Sequence, residues 1–152
     1  MLKQQGNSPA VLLYGGNNMS QAIIQTVNSN NQVLTANNLI GLGTTTNRYG
    51  CGLQQNGNGI QITGANYFDI KANVVVTPTA EGNITITMQR NGTAVPGAIA
   101  TATVAGAGDT VTLPIDFIIR RPCACCDDAD IITFTVSADA TVNNIVVQII
   151  KL

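Results

Sequence analysis

The chain has 152 residues, enough for one ordinary domain and too few for two. Its formal net charge is -1, only 10% of its residues are charged, and it contains no histidine. That leaves no cationic field for nucleic-acid phosphates or an anionic membrane, and removes the usual general base and the commonest transition-metal ligand, so nucleic acid, membrane and histidine-dependent catalysis are excluded as expectations.

A domain of this length buries roughly 70% of the surface its unfolded chain exposes, so it needs no metal or disulfide to hold a core. With 45% hydrophobic residues and so few charges, it also has little electrostatic protection against self-association. Much of its apolar surface is therefore expected to be covered by other subunits. The amino terminus carries one lysine and a very short apolar run, unlike a secretory signal, and no window is apolar enough to cross a bilayer. Synthesis in the cytoplasm is the expectation.

Residues 1–38 read as an extended arm. Val11, Leu12, Leu13 and Tyr14 form one apolar cluster, Ala22, Ile23 and Ile24 another, and Gly15-Gly16-Asn17-Asn18 separates them. Ser20 is placed to cap a short helix over 22–27. Small apolar patches in an Asn- and Gln-rich setting suit a docking segment that orders against a partner. Val11, Leu12, Leu13, Tyr14, Ile23 and Ile24 are the expected docking residues.

Residues 39–152 read as an all-β domain. The stretch Leu39 to Leu42 begins the strands, and Asn56-Gly57-Asn58-Gly59 reverses the chain ahead of the short strand Ile60 to Thr63. From Tyr67 onward, Phe68, Ile70, Ala72, Val74 and Val76 alternate with polar neighbours until Thr77-Pro78, where proline cannot donate to a ladder. Ile84, Ile86 and Met88 repeat the alternation, and Asn91-Gly92 supplies a tight reversal. Val95-Pro96-Gly97-Ala98 predicts a turn or bulge before the small-residue strand Ala98 to Val104. Val111, Leu113, Ile115, Phe117 and Ile119 then share one parity, with Pro114 on the other marking an edge or bulge. Ile132, Phe134 and Val136 alternate against Thr133, Thr135 and Ser137. The last segment, Val142 to Leu152, is apolar on both parities, so it is expected to be covered on both faces. About eight to ten short strands without a long helix predict an antiparallel jelly-roll sandwich with an N-terminal arm.

Several of these strings resemble one family. They are the aromatic strand after Gly64 (Tyr67, Phe68), the strand ending in Arg90-Asn91-Gly92, the Val95 to Ala98 segment and the Asp109 to Leu113 strand. Together they resemble the jelly-roll heads of the tumour necrosis factor and complement-head superfamily, in its bacterial and phage branch. The resemblance implies a homotrimer whose axis is lined by apolar residues of one sheet, including the last strand, with Ile145, Val147 and Ile149 as the expected interface. No collagen-like Gly-X-Y stalk precedes the head, which argues against a spore-surface filament.

One segment stands apart chemically: Cys123, Cys125 and Cys126 beside Asp127, Asp128 and Asp130, with Cys51 as the remaining thiol. Reduced thiols in a loop, disulfides within or between chains involving Cys51, Cys123, Cys125 and Cys126, and a soft metal all remain open, because spacing does not fix connectivity. The carboxylates suit calcium or simple solvation. No cofactor is expected and an enzyme is the least favoured class. The leading expectation is a structural virion protein, a trimeric capsid decoration or head-fibre protein that binds the major capsid protein through its arm. The alternative is a receptor-binding tip of a tail fibre or a spore-surface head, touching host-surface glycan through Asn56 to Gly59 and Cys123 to Asp130.

Overall fold

A computed structural model describes residues 21–122 and 129–152. The described chain is all β: β1 (Ile23–Asn28), β2 (Gln32–Leu34), β3 (Thr44–Tyr49), β4 (Leu53–Asn56), β5 (Gly59–Ile62), β6 (Asn66–Pro78), β7 (Gly82–Arg90), β8 (Thr93–Val104), β9 (Val111–Arg121), β10 (Asp130–Val136) and β11 (Ala140–Lys151). The strands form two antiparallel sheets. Sheet A runs β3-β1-β11-β6-β9, with β2 also pairing β11, and sheet B runs β4-β5-β10-β7-β8.

The alternation read in the sequence is what builds the core. Phe68, Ile70, Ala72, Val74 and Val76 of β6 are each at most 1% exposed, and they meet Ile84, Ile86 and Met88 of β7 and Ile132, Phe134 and Val136 of β10 in one cluster between the sheets. The β7–β8 reversal uses Asn91 and Gly92 at φ 56° and 80°, a backbone that turns tightly in step with strand twist. β8 carries the expected irregularity: its pairing with β7 shifts register between Thr87 and Gln89, opposite Val95 to Ala98. β9, which contains Pro114, is an edge strand. Leu39 to Leu42 is not a full strand. It makes one bridge, Leu39 to Thr135, and buries Ile40 and Leu42 completely, while the amide side chains of Asn28 and Gln32 hold the Gly41 carbonyl at 3.0 and 2.9 Å.

Residues 23–28 and 32–34, expected within the arm, are strands of sheet A. Residues 22–27 do not form a helix; Ile23–Asn28 is β1, an inner strand of sheet A between β3 and β11. Ile24 and Thr26 point into the core at 0% exposure, so Ile24 is a core residue and not a docking residue, and Ile23 lies on the outer face of the sheet. β-branched side chains on both parities suit a strand that has something on each side. Val11, Leu12, Leu13 and Tyr14 lie outside the described residues.

Strand direction gives the sandwich two ends. At one, here called the base, the chain enters β1, the Gly50-Cys51-Gly52 turn joins β3 to β4, β9 ends at Arg121, β10 begins at Asp130 and β11 ends at Lys151. Lys151 N–H donates to the Ala22 carbonyl and Leu152 N–H to the Tyr67 carbonyl, both at 2.9 Å, which ties the carboxyl terminus beside the start of β1. At the opposite end sit the β6–β7, β8–β9 and β10–β11 turns, joined by Gly108 N–H to Pro78 O at 3.3 Å and Thr79 N–H to Asp139 O at 3.1 Å.

Candidate assembly interface

β11 is the centre of sheet A and apolar on both faces, so the two parities must be separated. Ile145, Val147 and Ile149 are 1%, 0% and 0% exposed and pack inside the chain's own sandwich. They therefore cannot line an axis between subunits, and the expected interface residues are corrected to core residues. The outward parity carries Val146, Gln148 and Ile150.

Cross-strand register shows what surrounds them. Ile150 lies between Ile23 of β1 and Asp69 of β6, Ile23 continues to Tyr49 of β3, and Asp69 continues to Ile118 of β9. Tyr49 is 65% exposed and Ile118 is 54% exposed, large apolar groups left wet at either end of that row. A second row joins Val27 to Val146 and on to Asn73 and Pro114. Between the two rows run Gln25, Gln148, Lys71 and Asp116. A groove of about 250 Å³ opens at the base end of this face, lined by Gln21 to Ile23, Tyr49, Ile150 and Lys151. The outer face of sheet A thus carries two rows of mainly apolar residues, interrupted by Asp69 and Asn73, with a polar row between them.

The polar row is ionic on one side. Lys71 Nζ donates to Asp69 Oδ2 at 2.7 Å and to Asp116 Oδ1 at 3.4 Å. The Asp69 hydrogen bond is the main reason the Lys71 ammonium holds its proton above the ordinary lysine range, and Asp116 adds to it. These groups are open to water, so the pair adds little to the monomer and mainly fixes where charge sits on the face.

At the base rim a second ionic group joins the two sheets. Asp130, 7% exposed, opens β10 of sheet B and accepts Arg90 Nε at 2.8 Å and Arg121 Nη1 at 2.7 Å on one oxygen, and Asn91 Nδ2 at 2.8 Å on the other. Arg121 ends β9 of sheet A and also gives Nε to the Gly64 carbonyl at 2.9 Å. Burial alone would raise the Asp130 pKa; the hydrogen bonds from Arg90, Asn91 and Arg121 outweigh it and hold the carboxyl below the usual aspartate range. Its oxygens are taken up by guanidinium and amide donors, so Asp130 is an ion-pair acceptor and not a calcium ligand. Sequence reading missed this group, because Arg90 is distant in the chain and the spacing of Arg121 and Asp130 matches no ion-pair motif.

Cys51 is exposed on the β3–β4 turn at the base. Cys123, Cys125 and Cys126, with Asp127 and Asp128, lie outside the described residues. Among the described residues no three His, Cys, Asp or Glu side chains come together as a metal site. Of the two loops suggested for glycan contact, Asn56 to Gly59 leads into β5 and Asp130 pairs with its last residue, Ile62.

No family model matches the sequence, and no curated protein matches it. The fold has clear relatives among solved structures. Murine APRIL superposes with a TM-score of 0.66 at 13% identity, over 88% of this chain and 100% of that one. The vertex protein P5 of PRD1 superposes with a TM-score of 0.58 at 17% identity, over 86% of this chain and 72% of that one. The globular domain of a zebrafish complement 1qA protein gives a TM-score of 0.57 at 4% identity, over 83% and 94%. The fold is a tumour necrosis factor-like jelly roll. The sandwich expected from the sequence is what the chain forms, with eleven described strands in place of about eight to ten.

Proposed function

We propose that this chain is a structural, non-enzymatic virion protein: a homotrimeric decoration or head-fibre protein that sits on a phage capsid. The observation that carries the reading is the outer face of sheet A. Ile23, Val27, Tyr49, Val146, Ile150 and Ile118 project from a single sheet, away from a core that is already filled. An apolar sheet face of this kind is stabilised by burial at roughly 25 cal/mol per Å². Jelly rolls of this kind usually form homotrimers, and a trimer is a closed ring in which each copy presents the same two surfaces to its neighbours. The likeness to a phage vertex protein supports the virion setting.

In this reading residues 1–20, with Val11 to Tyr14, grip the shell from the base, where the described chain begins. The major capsid protein is the partner, and the molecule resides on the capsid surface. Removing residues 1–20 should leave the trimer intact in sedimentation and abolish co-sedimentation with capsids. Shell binding that survives the deletion would rule the arm out. Host-surface glycan contact is the alternative.

A further inference from the structure

Asparagine is followed by glycine at three places, Asn56-Gly57, Asn58-Gly59 and Asn91-Gly92, and each pair sits in a hairpin. By sequence the three are equivalent: glycine brings no side chain to shield its backbone nitrogen, which leaves the preceding asparagine side chain open to attack by it. The fold separates them.

At Asn91 the groups that must move are held. Its Nδ2 donates to Asp130 Oδ1 at 2.8 Å, its Oδ1 accepts the Ile131 N–H at 2.9 Å, and its own N–H donates to the Ile131 carbonyl at 2.9 Å. Turning the side-chain carbonyl toward the Gly92 nitrogen breaks the first two of these bonds, and one of them goes to a nearly buried carboxylate, the kind that costs most to lose. At Asn58 the obstacle is the glycine. Gly59 is buried in β5 opposite Asn56, and a methyl on its Cα would lie 2.6 Å from Ile131 Cγ2 and 3.1 Å from Thr133 Cγ2. Asn56 has neither restraint. It is exposed at the end of β4, an edge strand of four residues, and its side chain makes one long bond, Nδ2 to Gln61 Oε1 at 3.3 Å. Gly57 opens the two-residue turn at φ 60°, with nothing within 4 Å of where a side chain would project. Short edge elements of this kind open locally at little cost.

We infer that Asn56 is a site of spontaneous chemical modification, converted by water to aspartate or isoaspartate through a cyclic imide with Gly57, and that the Asp130 group keeps Asn91 from the same reaction. The Gly57 nitrogen gives its proton to solvent base and bonds to the Asn56 side-chain carbonyl carbon. The bond from that carbon to the amide nitrogen breaks, and the nitrogen leaves as ammonia. Water then adds to either carbonyl of the ring and opens it, leaving one new carboxylate, on the side chain in aspartate or on the main-chain carbon in isoaspartate. Nothing is oxidised or reduced, and water is the one co-reactant. Each conversion takes the formal net charge from -1 to -2, a large change for a chain with so few charges. The inference stands independently of the virion reading.

The full-length protein should be held in mildly alkaline buffer, folded and in guanidinium chloride, and sampled over weeks by anion exchange and by peptide mass spectrometry that separates aspartate from isoaspartate. In the folded protein, conversion at Asn56 is expected to be at least about tenfold faster than at Asn91 or Asn58, with a more acidic species growing in step. In denaturant the three rates should converge, because the fold is what separates them. The variant Asn56→Gln should lose the first acidic species to appear. Folded protein in which Asn56 stays intact, or converts no faster than Asn91, would overturn the inference. So would rates that stay tenfold apart in denaturant, which would put the cause in the flanking sequence, or an acidic species that grows equally fast in Asn56→Gln.

Discussion

The outer faces of the two sheets are built from different chemistry. Sheet B shows water mainly threonine and glutamine, Thr85 and Thr87 of β7, Thr101 and Thr103 of β8, and Thr133 and Thr135 of β10, with Gln61 and Gln89 alongside and Ile99 and Ile131 among them. Its hydroxyls satisfy one another across strands, Thr85 to Thr101 at 2.9 Å and Thr103 to Asn83 at 2.6 Å. Sheet A instead shows Ile23, Val27, Tyr49, Val146, Ile150 and Ile118. Both faces have β-branched residues suited to strands, so strand propensity does not separate them. What separates them is whether the branch ends in a hydroxyl or a methyl. On the proposed reading, one face is finished when the monomer has folded and the other only when a second copy covers it.

The sharpest way to break this comparison is to move one residue along β11. Ile149→Asp places an unpaired carboxylate at a position 0% exposed in the core and should cost on the order of 3–5 kcal/mol, enough to prevent folding or leave a molten species in circular dichroism. Ile150→Asp, one residue on, faces outward and should give a folded monomer whose melting is little changed from that of its own two-sheet core. If Ile150→Asp were the variant that failed to fold, the face assignment would be reversed.

Next in size is the ion group that ties the sheets together at the base. Asp130→Asn removes the carboxylate that Arg90 and Arg121 share and should destabilise the fold by about 1–3 kcal/mol in urea titration. The Asp130 pKa is depressed in the folded chain, so its contribution is fully present above the unfolded aspartate value near 4 and is lost as pH falls through the folded value. Stability from this group should therefore be flat from pH 7 to about 5 and drop only below about 4, and the drop should be smaller in Asp130→Asn.

Two smaller effects sharpen the contrast. Thr26 is the exception inside sheet A, a threonine at 0% exposure whose hydroxyl has no partner among the described residues, next to the register shift in β1. Thr26→Val should raise stability by about 1 kcal/mol, since an unmade buried hydrogen bond costs more than a methyl of the same shape. Thr87→Lys on the wetted face should change stability by less than about 0.5 kcal/mol and leave the oligomer unaltered in light scattering. A Thr87→Lys protein that fell apart would show that sheet B also meets a neighbour.

Much of the sandwich was legible because β6, β7, β9 and β10 alternate cleanly. β11 was not, and the reason is physical. With methyls on both parities, neither face announces itself as inner. A shift in pairing between Val142 and Asn144 then changes parity partway, so that Val142 and Ile145 are both buried although three positions apart. Only the register against β6, where Ile149 meets Ile70, decides the matter. β1 hid for a similar reason: six residues with a polar Thr26 inside and Ile23 outside carry too little pattern to be told from an arm. The base ion group left no recognisable motif, since Arg90 comes from a strand end 31 residues before Arg121, and Arg121 and Asp130 end and begin strands of different sheets that meet only in the fold.

The central claim is that the outer face of sheet A is closed by copies of the same chain. Sedimentation equilibrium of the wild-type protein beside Val146→Asp/Ile150→Asp tests it most directly. The account predicts three times the chain mass for wild type and a single folded chain for the variant. A wild-type protein that stays a single chain at high concentration, or a variant that remains a trimer, would contradict it.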